Sequence, residues 1–330
     1  MSSRQIGDFQ SATSGRASEL FRWFARYSTL IAIGFITLFL AITTPSFLTL
    51  VNMRNLLNQT AVLGIVAVGL TVLMIAGEMD VSMGSVVTLA GVFGVGMMTE
   101  GRGFAVAIAA ASIVGIGVGL ANGLISVYGR VTSLIATLAV AAIIEGVALL
   151  YTGGYRLFKG ILPAYYFLGR GQMLGIPVPV IIMLGVVGLA FLLLHRMAYG
   201  RRLYAIGGNA AAAVLSGVSP KWRKLTAFII CSSASALAGV VMTARVGTAE
   251  PFARFAYTLD AYAIVFLGTT VSAEGEPQIL GTLLGIVILG ILNNGMTLFG
   301  VPFFAQNIFK GMLILVAVIS SAILRERRAR

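Results

Sequence analysis

The sequence predicts an all-α, polytopic membrane protein of about ten transmembrane helices, with one further short helix in its longest, cytoplasmic gap. Two observations carry this. Of 330 residues, 58% are hydrophobic and only 10% are charged, a balance unlike that of a water-soluble domain. The apolar residues also fall in runs long enough to cross a bilayer. Polar breaks separate these runs, and the longest break is Gly200 to Lys224, GRRLYAIGGNAAAAVLSGVSPKWRK.

At about 20 apolar residues per crossing, the spans run Tyr27 to Ile42, Leu56 to Ala76, Val81 to Met98, Phe104 to Val127 and Val131 to Tyr151 in the first half. Pro177 to His195, Leu225 to Ala244, Tyr257 to Thr270, Ile279 to Phe299 and Phe303 to Leu324 follow. Residues 1–26 form a polar tail, 27–324 a single transmembrane domain and 325–330 a basic tail; no gap is long enough for a soluble domain. The leading tail carries Arg4, Arg16, Arg22 and Arg26 ahead of a run long enough to span, which predicts an uncleaved first helix rather than a signal peptide.

Charge orients the spans. With the N-terminus inside, cytoplasmic gaps and tails hold fifteen of the 23 Lys and Arg, external gaps hold seven, and Lys310 falls within a span. That excess places both termini in the cytoplasm, and it explains a net charge of +12 without nucleic acid. The one cysteine, Cys231, lies in an apolar run, so neither a disulfide framework nor a thiolate metal site is indicated. The one histidine, His195, ends a span beside Arg196 and reads as an interfacial residue.

Within the long break, Asn209 suits an N-cap, Ala210 to Ala213 favour helix, Gly217 suits the residue after a helix and Pro220 suits the first turn of the next. A helix of about two turns is marginal alone. Its stripe of Ala211, Val214, Leu215 and Val218 fits either a groove on a partner protein or the bilayer surface. The external segment Gly153 to Pro177 reads as a loop or short surface helix.

Two gaps combine acids with glycine: IAGEMDVSMGS, with Glu78 and Asp80, and VSAEGEPQILG, with Glu274 and Glu276. Each suits a broken helix beside a pathway, or an ordinary turn with capping acids, and Asp80 is placed to cap the third span. Glu145 lies deep in the fifth span and Lys310 early in the tenth. At such depth ionisable groups face a cavity or each other, so a Glu145–Lys310 pair is one expectation, with Asp260 a third candidate. Gly115, Gly119 and Gly123 repeat on one helix face, a pattern for close helix packing. No GxxxxGK[ST] phosphate cradle occurs, so the chain is not expected to hydrolyse nucleotide.

Three stretches together resemble the sugar-type ABC transporter permeases of the ribose, xylose, arabinose and galactose importer group. IAGEMDVSMGS is similar to that family's first signature, through Gly77, Asp80, Ser82, Gly84 and Ser85. RRLYAIGGNAAAAVLSGVSPKWRKLTAF is similar to its cytoplasmic loop. LDAYAIVFLGTTVSAEGEPQILGTLLGIVILGILNNGMTLFGV is similar to its C-terminal block, through Gly281, Gly285, Asn293, Asn294 and Gly295. The likeness spans about Leu48 to Val318.

The resemblance implies a permease subunit for a monosaccharide or related small polyol in the bacterial inner membrane. It implies coupling to an ATPase through Ala205, Ile206, Gly207, Gly208, Asn209, Ala212, Ser216 and Gly217. The expected partners are a second permease chain, identical or a paralogue, a tandem-cassette ATPase subunit that uses ATP and Mg, an extracytoplasmic sugar-binding protein and membrane lipid. The chain itself needs no cofactor. Gly77, Glu78, Asp80, Ser82, Glu145, Asn293 and Asn294 are expected along the pathway. Glu78 stands where the family commonly has a second glycine, the second acid–glycine loop carries Glu276 and Pro277, and Glu145 stands where the family often has arginine. The competing classes are a proton- or sodium-coupled secondary transporter and an ABC permease for a nucleoside or branched amino acid.

A reporter fused after Thr152 tests the topology: it is expected on the external face, and a cytoplasmic signal there contradicts the orientation of every span.

Overall fold

The computed structural model describes residues 33–252, 255–271 and 275–329. The N-terminal tail, the start of the first span, Arg254, Glu274 and Arg330 lie outside them. The chain runs through α1 (Ile33–Thr43), α2 (Leu50–Ile75), α3 (Met83–Thr99), α4 (Phe104–Gly123), α5 (Ser133–Thr152) and α6 (Pro163–Arg170). A two-residue hairpin, Gln172–Met173 with Ile176–Pro177, leads to α7 (Val178–Phe191), α8 (Ala198–Gly208), α9 (Ala210–Leu215) and α10 (Pro220–Val246). Then come α11 (Phe255–Val271), α12 (Ile279–Leu298) and α13 (Phe303–Ala329).

Every predicted span from the second onward falls on a helix. Among the described residues six are long and apolar enough to cross a membrane: α2, α4 with its wide last turn to Tyr128, α5, α7 with a similar turn to Arg196, α10 and α12. Ile33–Thr43, α3 and the Phe303–Val316 part of α13 are apolar but shorter.

Two long helices organise the bundle. α10 packs on α2, α3 and α4, and α2 packs in turn on α7, α11 and α12. One hydrophobic cluster gathers Ile65, Leu73, Phe228, Cys231, Ile264 and Leu289 around α2; a second gathers Val92, Val95, Ala107, Ala148 and Val240 on the other face of α10. The small-residue stripe of α4 is what lets α10 approach. A Cβ on Gly119 would lie 2.6 Å from the Ile229 Cα, and one on Gly115 would lie 2.7 Å from the Ala236 Cβ. Without water to expel between helices, such close contact supplies the dispersion energy of association.

Polar side chains staple the same helices. Asn52 of α2 and Asn294 of α12 exchange two amide hydrogen bonds of 2.9 Å, and Thr71 and Thr282 join these helices again at 2.7 Å. Lys310 of α13 meets both carboxylate oxygens of Asp260 of α11, at 2.8 and 3.1 Å, with both side chains buried. This corrects the expected Glu145–Lys310 pair. Glu145 is half-buried on the flank of α5, and its neighbours Ile143, Val147 and Leu150 are exposed apolar residues.

α10 spans the bundle lengthwise, so its two ends mark the two ends of the molecule. At the far end α6 lies across it: Tyr165 is fully buried and bonds Thr243 at 2.7 Å. Arg170 donates to the Arg245 and Val246 carbonyls at 2.7 and 2.8 Å, which satisfies acceptors left open where α10 ends. The near end carries α8 and α9.

Removing one partner of the buried pair is expected to cost about 3–5 kcal/mol, because it strands a charge. Thermal unfolding in detergent should therefore show Lys310→Met strongly destabilised and the double variant Asp260→Asn, Lys310→Met largely recovered.

Candidate functional site

Three features converge on α2, α10 and α11. The first is the near end. Asn209 caps α9, its side-chain Oδ1 accepting from the Ala212 amide at 3.0 Å. At the other end Val218 N–H bonds the Ala213 carbonyl and Gly217 N–H bonds the Val214 carbonyl, both at 2.9 Å, with Gly217 at φ +77°. That is a Schellman motif, for which glycine supplies the left-handed residue. Pro220 then opens α10. Of the predicted stripe, Leu215 is 90% exposed and Val214 54% exposed, Ala211 is exposed and Val218 half-buried. α9 therefore presents apolar side chains to the outside of this chain, beside exposed Trp222, Arg201, Arg202 and Lys221.

The segment Ala205 to Gly208, expected as loop, is instead the last turn of α8. Its two glycines have different surroundings. A Cβ on Gly207 would run into the Ile75 carbonyl oxygen at the end of α2, whereas one on Gly208 would meet nothing within 4 Å. Ile206 is buried; Ala205, Gly208, Asn209, Ala212, Ser216 and Gly217 are exposed. Tyr199 ties α8 to α10: its hydroxyl donates to the Arg223 carbonyl at 3.2 Å and accepts from Thr226 at 3.0 Å. Burial pushes that hydroxyl above its ordinary pKa, against the pull of Thr226 and Arg223, so it stays a neutral linker.

The second feature is the break between α2 and α3. Gly77 turns the chain at φ +77°, and the next residues are non-helical. Their backbone amides are held by side chains, Met79 by Ser133 at 3.2 Å, Asp80 by Tyr262 at 3.0 Å and Val81 by Thr137 at 3.1 Å, and in the first turn of α3 Gly84 is held by Thr258 at 3.0 Å. Asp80 is fully buried. Its Oδ1 accepts from the Ser82 amide and hydroxyl at 2.7 and 2.6 Å, while Asn122 of α4 donates to Ser82 Oγ at 2.9 Å and lies 3.4 Å from Asp80 Oδ2. Ser82, and not Asp80, occupies the N-cap of α3. Glu78 turns the other way and pairs with Lys224 of α10 at 2.6 Å. The break thus touches the near-end module twice, through Gly207 and through Lys224. A recess of about 270 Å³ adjoins it, lined by Tyr204, Gly207, Gly208, Glu276 and Pro277 among others.

The third feature is a cavity of about 620 Å³ toward the far end, among α2, α11, α12, α13 and the end of α10. Gln59, Thr60, Asp260, Asn293, Asn307 and Lys310 line it. Asn293 and Asn294, grouped together from sequence, diverge here, because Asn293 faces the cavity while Asn294 bonds α2. The expected pathway residues therefore do not gather at one place: Gly77, Glu78, Asp80 and Ser82 sit at the break, Asn293 at the cavity and Glu145 on the flank of α5. Sequence reasoning missed Thr60, Asn122, Thr258, Tyr262 and Asn307; polar residues inside otherwise apolar helices were the available signal. Among the described residues no cluster of three or more His, Cys, Asp or Glu is placed to hold a metal.

A bundle of apolar helices with a half-open cavity lined in part by polar side chains, a helix break held by side chains and an exposed short helix at one end is, in class, a membrane transport permease. The chain belongs to the family described as the permease component of branched-chain amino acid transport systems, whose model matches residues 52–318. It is 38% identical to the ribose import permease protein of Escherichia coli (strain K12), over 93% of this chain and 96% of that protein. It is 40% identical to the ribose import permease protein of Bacillus subtilis (strain 168), over 86% and 88%. With the L-arabinose ABC transporter permease protein of Azospirillum brasilense it shares 31% identity, over 90% and 88%. No solved structure matches. These likenesses favour an ABC permease over a proton- or sodium-driven carrier.

The two glycines of α8 predict opposite results. Gly207→Val is expected to lower the melting temperature and yield of the purified chain, because nothing but glycine fits against Ile75, whereas Gly208→Val should leave both within experimental error.

Proposed function

We propose that this chain is the membrane-spanning permease subunit of an ATP-driven importer, and that its cargo is a monosaccharide or a related small polyol delivered by an extracytoplasmic binding protein. The observation that carries the coupling half of this reading is α9, a capped helix of six residues that buries Ala213 but leaves Val214 and Leu215 without cover in this chain. So short a helix does not persist in water by its own propensity. Its intrinsic caps hold it ready for a groove, here one on a cytoplasmic ATPase subunit with two nucleotide-binding cassettes. ATP and Mg act in that subunit. The cargo half is supported by the ribose and arabinose permeases among the relatives, although the family description names branched-chain amino acids.

In this reading about ten helices cross the bacterial inner membrane, both termini are cytoplasmic, and two permease chains, identical or paralogous, share one ATPase. Asn209, Ala212, Ser216, Gly217 and Gly208 form the docking face with Ala205. Ile206 and Gly207 instead seat α8 on α2, so a push on α9 reaches the Gly77–Ser82 break through Ile75 and through the Glu78–Lys224 pair.

Extraction of the complex from its native membrane, followed by mass spectrometry, tests this. A tandem-cassette ATPase should co-purify and should fall about tenfold or more with Gly208→Trp, the scale of about 1.4 kcal/mol lost at an interface, while the yield of the permease chain holds. Uptake should also survive collapse of the proton gradient with ATP maintained. A chain that purifies without an ATPase and stops transporting on that collapse contradicts the reading.

A further inference from the structure

The hairpin before α7 places an apolar side chain where neither water nor the backbone favours one. Met173 pairs with Ile176, and Leu174 and Gly175 close the turn with φ of +54° and +79°. Two positive φ values are the type I′ pattern, which asparagine, aspartate or glycine ordinarily fills. A bulky leucine is disfavoured in left-handed backbone. Its side chain is nevertheless fully exposed, and Phe167, Met173 and Ile176 near it are about half exposed. Phe167 lies over Gly171 at the base of the hairpin, where any side chain would collide with its ring. Backbone strain and exposed apolar surface fall on the same residue, so the Leu174 side chain has its partner outside this chain.

The place of the hairpin in the fold identifies that partner. α7 with its wide last turn, Val178–Arg196, has 19 residues, about 28 Å at 1.5 Å per residue, which matches a hydrocarbon core of about 30 Å. Val178 therefore stands at the edge of the core, and its N–H bonds the Gly171 carbonyl at 2.9 Å, which ties the hairpin to that level. Leu174 is four residues earlier, at most about 13 Å away at roughly 3.3 Å per residue. No charged residue occurs between Gly171 and Leu184, and α7 continues the run with exposed Ile181 and Leu184. Charge at this end lies on other segments, where Arg156 pairs with Glu250 at 3.1 Å. We propose that the hairpin is a lipid anchor, with Leu174 seated at the border of the headgroups and acyl chains of the leaflet at the far end and Met173, Ile176 and Phe167 beside it. Water at that level still reaches the amides of the turn. The hairpin follows α6 directly, and α6 holds the end of α10 through Tyr165 and Arg170, so the anchor fixes α6 over that end. The inference goes beyond the importer reading and does not rest on it, since it needs only that α7 cross a membrane.

Two measurements on the full chain in nanodiscs of phosphatidylethanolamine and phosphatidylglycerol test the proposal. The first is depth. Leu174→Cys, with Ile176→Cys as a second probe should the first not fold, carries a nitroxide label; native Cys231 is buried and gives a low background. Collisions of the label with molecular oxygen, which concentrates in lipid, are compared with collisions with a water-soluble nickel chelate. The Leu174 label should favour oxygen several-fold, as a label at Leu184→Cys on α7 does, whereas one at exposed Lys159→Cys should favour nickel. A Leu174 label that favours nickel faces water and overturns the anchor. Few collisions with either reagent mean that protein covers the tip, a second copy or a binding protein, and overturn it as well. The second measurement is the hold on α6. Leu174→Asp should raise hydrogen exchange at the α6 amides several-fold while exchange in the middle of α10 holds. Exchange in α6 that stays at the parent rate overturns the anchor, because a tip that merely touches lipid fixes nothing.

Discussion

The arrangement of this bundle depends on one constraint: a backbone that leaves the helix inside an apolar environment must still satisfy its amides. Between the end of α2 and the first turn of α3 four backbone amides are met by four different side chains, and those side chains come from α5 and α11. Asn122 of α4 closes the same group through Ser82 and Asp80. Three helices distant in sequence are thereby fixed in rotation and depth against a segment of a few residues. Apolar packing alone does not set rotation so tightly, since one Val or Leu contact is much like another, whereas a serine hydroxyl placed one residue off serves no amide at all.

Glycine supplies the complementary half of the design. α4 and α10 approach closely because Gly115, Gly119 and Gly123 present no side chain, and the interface places backbone against backbone. Packing this close holds α10 in place between α4 and α2, so the near-end module and the far-end helix α6 are mounted on one common rod. Tyr165 and Arg170 then seal the far end, with Arg170 taking two carbonyls that helix geometry leaves open.

Much of this was legible in the sequence where the signal is local. Asn209, the alanine run, Gly217 and Pro220 gave the bounds of α9 because a cap, a left-handed residue and a first-turn proline act within four residues. The glycine stripe of α4 was legible for the same reason. What the sequence did not yield is what depends on rotation about a helix axis. Lys310 was placed at depth correctly, but the choice between Glu145 and Asp260 needed the face that each presents. Asn293 and Asn294 are adjacent in sequence and about 100° apart around α12, which sends one to the cavity and the other to Asn52. The end of α8 was missed because Gly207 and Gly208 signal a loop by propensity. Contact with Ile75 outweighs that propensity at Gly207, where a close approach matters more than the entropy glycine loses.

α11 is the element that joins the break to the cavity chemically. Tyr262 exchanges hydrogen bonds with the backbone of Asp80 at the break, and Asp260, two residues earlier and so on nearly the opposite face, holds Lys310 beside the cavity. The two residues share one helical turn, so a rotation of α11 that shifts Tyr262 also shifts Asp260. The break receives its own contacts from the α9 end, at Gly207 and Lys224. The proposed coupling therefore needs no long wire of side chains: it needs two helix pairs, α8 against α2 and α11 against α13, meeting at one non-helical segment whose hydrogen bonds are directional enough to favour one rotation of its neighbours over another. Apolar surfaces slide past one another at low cost. The polar group around Asp80 does not, which is why a switch between two arrangements would be built there rather than in the packed faces around it.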